Sequence, residues 1–337
     1  MEEKVRQNLT SVLLCRPNGR LGNQLMITPL VQEIARWSPH CRIDLFVKGS
    51  LCEIIFKNYP EVGRIIELPR KPFAEPVRYL KVWLSLRKHT YDLVINVTED
   101  SLSGRLSTRL ARARWRFYNN TEGLPKALCP GWAHMAEYPV YNFRRYLASL
   151  TPELTHPVPC LSLRLSDAEL ANGLEVMNCY VSPAKKTLCI YTYATGAKCY
   201  PEAWWAAMYA RLKEAFGSTC NILEILPIEN VSLIHFQAPA YYSRDIRQIA
   251  SVIAHASLFL GADSGMMHLA AASGAPTAGL FSVTEPALYR PCGPRSLAIE
   301  TNRTDIDGII AAIRPLLTDK AAAASSPAVP PNPPRPL

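Results

Sequence analysis

The chain has 337 residues, of which 48% are hydrophobic, and it carries a formal net charge of +9 at neutral pH. This length is long for one domain and sufficient for two domains with separate cores. No run of about 18 apolar residues occurs, which excludes a transmembrane helix of ordinary length. The polar start of the chain is unlike a signal peptide, so we expect a cytoplasmic protein.

The ten cysteines are interpreted as free thiols. Cys15 and Cys189 lie within apolar runs, where cysteine behaves as a small buried hydrophobic residue. No CxxC pair and no Cys/His cluster has the spacing of a metal site. We therefore predict no disulfide, no zinc and no other bound metal.

Positive charge is concentrated in the first half of the chain. Residues 1–165 contain 24 Lys and Arg against 14 Asp and Glu, a net of +10, whereas the remainder has 13 against 14, a net of −1. The basic residues are densest between Arg105 and Arg116. A phosphorylated lipid or membrane surface, nucleic acid and ordinary solvated charge are three interpretations. No nucleic-acid motif occurs and the aromatics are not interleaved, so we expect no nucleic-acid partner.

Strands and helices alternate through the first half. Strands are predicted at 11–15, 42–47, 64–68 and 91–97, and helices at 24–37, 50–57 and 76–88. This alternation predicts a parallel, doubly wound sheet. The helix at 76–88 is basic and amphipathic, which favours peripheral contact with the inner membrane.

A second α/β series follows a proline-rich connection. Strands are predicted at 188–193, 221–226, 258–261 and 277–281, and helices at 166–177, 201–216, 245–255 and 306–317. We assign residues 1–165 to an N-terminal domain and 166–319 to a C-terminal domain. Residues 320–337 contain six prolines between Pro327 and Pro336 and are predicted to be a disordered tail.

The most informative segment runs from Leu258 to His268. An apolar strand ends at Gly261, and a helix of small residues begins directly after Asp263 and Ser264, either of which is suited to cap it. The first N–H groups of such a helix, together with its dipole, favour an anion such as a diphosphate. An ordinary capped helix without a ligand is the alternative interpretation.

Four loops are predicted at the carboxyl ends of strands, at 19–23, 98–101, 192–198 and 262–265. In doubly wound folds ligands bind at this edge of the sheet. We therefore expect the site in the cleft between the two domains.

Three motifs resemble those of a known family. Residues 263–286 contain DSGMMHLAAA, then Pro276 and FSVTEP, and are similar to D-[ST]-G-x-x-H-x-x-A-A…P…G-x-T-x-P, with Ser282 at the small-residue position. KCYPEAW at 198–204 is similar to K-x-[WY]-P-x-x-x-W, and GNQLMITP at 22–29 to G-D-x-x-x-x-x-P. Over residues 11–318 the chain thus resembles the bacterial heptosyltransferases of lipopolysaccharide core assembly.

The resemblance implies the GT-B architecture, in which two Rossmann-like, doubly wound parallel-sheet domains face each other across a cleft. It implies an inverting, metal-independent transfer without a cofactor. A heptose or related sugar would pass from ADP-heptose or another nucleotide sugar to an anionic lipopolysaccharide-type acceptor.

The resemblance also implies residues that contact the donor. Ser264, Gly265 and the following N–H groups would hold the diphosphate, and His268 a phosphate or the sugar. Glu229 would contact the ribose, although a turn or capping role is an equal alternative. The full set of implied donor contacts is Thr192, Thr195, Lys198, Glu229, Asp263, Ser264, Gly265, His268 and Thr284.

The general base is an open question, because the family's usual Asp is replaced here by Asn23. An amide cannot accept a proton at neutral pH. Glu99 or Asp100 could serve instead, Asn23 could only position the acceptor, or the chain could be a weak or inactive transferase. We favour Glu99 or Asp100, with Asn23 and Lys198 completing the predicted catalytic set.

Other functions remain open at this level, because one fold serves many chemistries. They are transfer of another sugar, a capsule or glycoprotein acceptor, a nucleotide-sugar epimerase, and a catalytically weak GT-B protein that only binds nucleotide sugar.

Overall fold

The computed structural model describes residues 9–71, 73–98, 101–118, 134–148, 156–293 and 295–318. It contains two parallel sheets. The first is formed by β1 (Ser11–Arg16), β2 (Arg42–Lys48), β3 (Val62–Leu68), β4 (Thr90–Asn96) and β5 (Arg112–Phe117), in the order β3-β2-β1-β4-β5. The second is formed by β6 (Lys186–Tyr191), β7 (Cys220–Ile225), β8 (Ala240–Tyr241), β9 (Leu258–Ala262), β10 (Thr277–Phe281) and β11 (Leu297–Glu300), in the order β11-β10-β9-β6-β7-β8.

The helices of the first domain and the connection are α1 (Leu21–Leu25), α2 (Thr28–Trp37), α3 (Leu51–Ile55), α4 (Pro76–Ser85), α5 (Leu102–Leu110) and α6 (Tyr138–Ala148). Those that follow are α7 (Asp167–Tyr180), α8 (Glu202–Phe216), α9 (Ile246–Ala254), α10 (Gly265–Ala272), α11 (Pro286–Tyr289) and α12 (Ile306–Thr318). All the sheet pairings are parallel, and helices cover both faces of each sheet.

The first sheet has two distinct covered faces. On one face, α4 and α5 cover a core that includes Leu13, Phe46 and Val94. On the other, α2, α3 and α6 cover a core that continues into the second domain through α7, α9 and α10. Consequently the α4 and α5 side lies away from the junction between the domains.

The connection joins the domains through α7, which packs on α9. Ser166 caps α7 and accepts the N–H of Glu169, whose side chain accepts the N–H of Ser166 in return, a complete capping box. The sheets span residues 11–117 and 186–300. The boundary at 165/166 stays a prediction, and the tail at 320–337 lies outside the described residues.

One predicted helix differs from the structure, and one region has no predicted element. The helix predicted at 24–37 is two helices, separated at Met26 and Ile27, because Pro29 sits at the start of α2 and the Thr28 hydroxyl donates to the Leu25 carbonyl at 2.8 Å. The Arg-rich region, interpreted above only by its charge, forms α5 and the edge strand β5.

The prediction that every thiol is free is wrong. Cys160, in the connection, and Cys292, after α11, form a disulfide with Cα atoms 5.7 Å apart. Seven other cysteines within the described ranges are unpaired, including buried Cys15 and Cys189. The spacing of 132 residues carries no local signal, so only the fold brings the two thiols together.

Candidate functional site

The amino end of α10 lies where β9 ends. Ser264, not Asp263, is its cap, and the Ser264 hydroxyl accepts the N–H of Met267 at 3.4 Å. Within the described ranges, the N–H groups of Gly265 and Met266 have no hydrogen-bond partner. The helix therefore presents free donors at an end where its dipole favours negative charge.

Asp263 holds two side chains from neighbouring strand ends. The Lys198 ammonium lies 2.5 Å from Asp263 Oδ2, and the Thr284 hydroxyl donates to the same oxygen. Lys198 ends a short 3₁₀ turn (Gly196–Lys198) after β6, whereas Thr284 follows β10. Because Asp263 is buried and Lys198 is partly exposed, this network fixes the ammonium beside the amino end of α10.

His268 is a buried imidazole one turn into α10. It is 3% exposed, its Nε2 atom lies 4.0 Å from Asp263 Oδ1, and its Nδ1 atom has no hydrogen-bond partner among the described residues. Burial lowers the pKa of His268 from 6.5 to about 4, although the nearby Asp263 carboxylate acts in the opposite direction. The ring is therefore neutral at physiological pH.

The first domain meets this end of α10 through two glycines. A Cβ placed on Gly22 would lie 2.9 Å from Cδ2 of His268, and one on Gly265 would lie 3.1 Å from Cβ of Leu21. Glycine at both positions thus permits α1 and α10 to approach closely. This contact brings the first domain's GN motif beside the α10 terminus.

Asn23 is held by a buried arginine. Arg16 donates from Nη2 to the Asn23 side-chain oxygen at 3.0 Å and from Nε to the Asn23 carbonyl at 2.8 Å. Its remaining terminal nitrogen donates to the Thr98 hydroxyl. Burial lowers the pKa of Arg16 to about 10, so the guanidinium stays charged at neutral pH.

The structure unites only part of the predicted set. Lys198, Asp263, Ser264, Gly265, His268 and Thr284 lie together, and Asn23 lies across the junction on α1. Glu99 and Asp100 fall outside the described residues; Thr98 immediately precedes them in the chain.

Three further predicted donor contacts lie elsewhere on the second domain. Thr192 is buried and its hydroxyl donates to Glu224 at 2.8 Å, so this hydroxyl is already engaged. Thr195 and Glu229 are exposed at the ends of β6 and β7 and remain accessible. Their roles toward a donor stay predictions.

Sequence reasoning missed basic residues at the cleft edge of the first domain. Arg20 follows β1, Lys48 is the last residue of β2, and Arg70 follows β3. Within the described ranges, none of these three side chains has an ion-pair partner. Arg70 lies against Gly49, where a Cβ would meet its Nε at 2.6 Å. The overall excess of charge was visible in the sequence, but only parallel strand order gathers these three positions at one edge.

Glu67 is a second missed residue at this edge. It lies in register with Val47, which is in register with Arg16, so the three residues form one row across β3, β2 and β1. Burial, with the nearby Glu53 charge, raises its pKa, and its Oε1 atom has no hydrogen-bond partner in the described part of the chain. No motif marked it.

A cavity of about 420 Å³ lies at the opposite, amino-terminal edge of the first sheet. Asp44 in its wall accepts hydrogen bonds from Arg64 at 2.6 Å and from Tyr91 at 2.8 Å. These contacts satisfy the buried carboxylate, so the cavity is explained by the packing of this edge. In the described ranges no three His, Cys, Asp or Glu residues are grouped to hold a metal ion.

The family model "Glycosyltransferase family 9 (heptosyltransferase)" matches residues 243–306, which include β9, α10 and Thr284. The chain is 24% identical over 295 residues to lipopolysaccharide heptosyltransferase 3 of Escherichia coli, covering 80% of this chain and 83% of that protein.

Two solved structures share the fold. A glycosyl transferase family 9 protein from Veillonella parvula superposes with a TM-score of 0.73 at 14% identity, covering 92% of this chain and 98% of the other. The E. coli heptosyltransferase WaaC, solved with ADP, superposes with a TM-score of 0.66 at 18% identity, covering 91% and 100%.

The two parallel-sheet domains therefore adopt the GT-B architecture, as expected from the sequence, and the chain is a glycosyltransferase. Residues 243–306 match the glycosyltransferase family 9 (heptosyltransferase) model, and over most of its length the chain is similar to lipopolysaccharide heptosyltransferases.

Proposed function

We propose that this protein transfers a heptose from ADP-heptose to an anionic lipopolysaccharide core acceptor, with inversion and without a metal. The observation that carries the proposal is the amino end of α10. There, free main-chain donors and a neutral His268, both within the segment that the family model matches, meet the fixed Lys198 ammonium, which comes from outside that segment.

The donor side of the proposal rests on charge. Breaking the glycosidic bond leaves negative charge on the departing nucleoside diphosphate, and donors fixed in advance stabilise that charge without reorganising. The N–H groups of Gly265 and Met266 and the ammonium of Lys198 supply such donors, and Asp263 holds that ammonium in place. Neutral His268 is able to donate one ring hydrogen to a phosphate or sugar oxygen.

The first domain supplies the residues proposed to bind the acceptor. Arg20, Lys48 and Arg70 are cations at the cleft edge and suit the phosphates and carboxylates of a lipopolysaccharide core. None of the helices in the described ranges is long and apolar enough to cross a membrane. We propose a cytoplasmic protein that reaches its lipid-linked acceptor at the inner membrane.

For the general base we propose Glu99 or Asp100. Thr98, directly before them, bonds to the same Arg16 that holds Asn23, so the chain enters this segment beside the predicted acceptor position. Glu67 is the alternative, because burial raises its pKa above the usual value of a glutamate and so makes the carboxylate a stronger base.

The test is a transfer assay with purified protein, ADP-heptose and heptose-deficient lipopolysaccharide, in EDTA and then in Mg²⁺. We expect ADP release to require the acceptor, equal rates with and without metal, and an inverted anomeric centre by NMR. Lys198→Met should lose at least roughly a hundredfold in kcat/KM, whereas Lys213→Met, an exposed lysine on α8, should not.

Three variants then test the base: Glu99→Gln, Asp100→Asn and Glu67→Gln. Loss of a general base lowers kcat by roughly 10²–10⁴-fold, so a variant with full turnover excludes its residue. Release of ADP without an acceptor would contradict transfer and favour an epimerase-like reaction. ADP binding without turnover toward any acceptor would favour a nucleotide-sugar-binding protein.

A further inference from the structure

Helix α4 exposes an apolar stripe to solvent. Val77, Leu80 and Leu84 repeat at the spacing of one helix face and are 64%, 60% and 57% exposed. Phe73, just before the helix, is 98% exposed. The other side of α4, with Val82 and Trp83, packs on the sheet, so the stripe is additional to the core contact. An amphipathic helix normally buries its apolar side and leaves polar residues outside.

The same surface continues on α5, which packs beside α4. Leu102 is 82% exposed and Leu106 is 49% exposed. Both helices begin at the carboxyl edge of the first sheet, so Phe73 and Leu102 lie nearest to the cleft. Apolar patches of this kind mark sites of contact with a protein, ligand or membrane.

Basic side chains surround these apolar residues. Lys81, Lys88 and Arg109 are exposed, and neither α4 nor α5 contains an Asp or Glu. Arg78, on the same helix, pairs with Glu75 at 2.7 Å. We call this surface the α4–α5 face, defined by Val77, Leu80, Leu84, Leu102, Leu106, Lys81, Lys88 and Arg109.

We propose that the α4–α5 face docks on the surface of an anionic lipid bilayer. Apolar side chains enter the boundary between head groups and acyl chains, while lysine and arginine attract the anionic lipids. A second copy of the chain would bring two positive faces together, which charge opposes. Docking in this way also places the cleft edge, with Phe73 and Leu102, toward the lipid.

Docking on a bilayer is a property separate from sugar transfer, and it is measured without any transferase substrate. The full chain is sedimented with vesicles of phosphatidylethanolamine and phosphatidylglycerol, and separately with phosphatidylcholine vesicles. We expect binding to the anionic vesicles only, decreasing as NaCl rises because salt screens surface charge.

Variants then locate the surface. Lys81→Gln with Lys88→Gln should lower the partition coefficient roughly 25-fold, from about fivefold for each basic residue. Leu80→Gln with Leu84→Gln should lower it about tenfold, since exposed positions lose apolar insertion but no core contact. Lys185→Gln with Lys213→Gln, two exposed lysines on the second domain, is the matched control and should stay within about twofold.

Several outcomes would overturn the proposal: equal binding to phosphatidylcholine, no vesicle binding, or an equal loss in the control. Light scattering that finds a dimer lost in the α4–α5 variants would assign the face to a second copy instead. Activity with a soluble, delipidated acceptor should be unchanged in these variants, so failure of the docking proposal is distinguishable from failure of the transfer reaction.

Discussion

His268 is the residue whose protonation most directly couples the candidate site to stability. Its folded-state pKa is below its unfolded value, so the unfolded chain binds a proton that the folded protein excludes. Stability from this group is therefore complete above about pH 6.5 and declines as the pH falls toward 4. The buried His134, whose pKa is also lowered by desolvation, acts in the same direction.

We predict that lowering the pH from 7.5 to 5 costs the wild-type protein about 2 kcal/mol more unfolding free energy than it costs His268→Gln. Urea denaturation at both pH values measures this difference. His134 is present in both proteins, so its own desolvation contributes to both pH dependences. An identical pH dependence would contradict the assignment of a neutral, buried imidazole.

The residues at the α10 terminus were predictable from the sequence, but the contacts between their side chains were not. The helix cap and the position of His268 one turn into the helix follow from a strand, a turn and small residues within one short segment. The contact of Lys198 with Asp263 crosses 65 residues and depends on β6 and β9 being neighbours. Such pairing is decided by sheet topology, which no local pattern encodes.

At the element scale, Arg247 joins three segments. Its guanidinium donates to Glu169 on α7 at 2.6 Å, to the Ile54 carbonyl on α3 and to the Leu163 carbonyl in the connection. The hydrogen bond from Arg247 to Glu169 holds the pKa of that carboxyl well below its usual range. The pair thus ties helices of both domains together.

We predict that Glu169→Gln lowers the unfolding free energy by about 3 kcal/mol, because the buried Arg247 charge loses its carboxylate. Glu175→Gln, on the exposed side of the same helix, should change it by less than about 0.5 kcal/mol. Chemical denaturation at pH 7 compares the two variants. Equal losses would show that the ion pair contributes nothing beyond the general effect of substitution.

Helices and strands with a clear pattern of apolar residues were predictable from the sequence. Elements in which charged and apolar residues are mixed were not. Strand β10 lies at 277–281 as expected, since five apolar or small residues stand between turns. Strand β5 alternates Arg with Ala, Trp and Phe, and lies at an edge with every second residue exposed. The sequence analysis interpreted these arginines only by their charge. The alternation of charged and apolar residues is nevertheless that of a half-buried strand.

At the scale of the whole molecule, the Cys160–Cys292 disulfide links the connection to the second domain. Cys160 also contacts the first domain, because its carbonyl accepts from Gln32 on α2 at 2.9 Å. A cross-link that closes a loop of this length restricts the unfolded chain, with an expected gain of about 4 kcal/mol.

We predict that dithiothreitol lowers the unfolding free energy by about 4 kcal/mol and that Cys160→Ser does the same without further response to reductant. Cys179→Ser, at an exposed unpaired cysteine, should retain the full response. Rapid alkylation of Cys160 in the native, unreduced protein would contradict the disulfide.

The two domains differ in charge and in the surfaces that they contribute. The N-terminal half carries the positive excess and the α4–α5 face, whereas the second domain carries the α10 terminus and its Lys198–Asp263 pair. Parallel strand order turns both sets of strand ends toward one cleft.

Calorimetric titration with ADP, UDP and GDP tests whether the α10 terminus binds the diphosphate of an ADP-linked sugar. The titrations are run in EDTA and then in Mg²⁺, on the wild type, Lys198→Ala, Asp263→Ala and the control Lys213→Ala. We predict metal-independent binding that prefers ADP, is lost in Lys198→Ala and Asp263→Ala, and is kept in Lys213→Ala. Absence of nucleotide binding, or a preference for UDP or GDP, would contradict it.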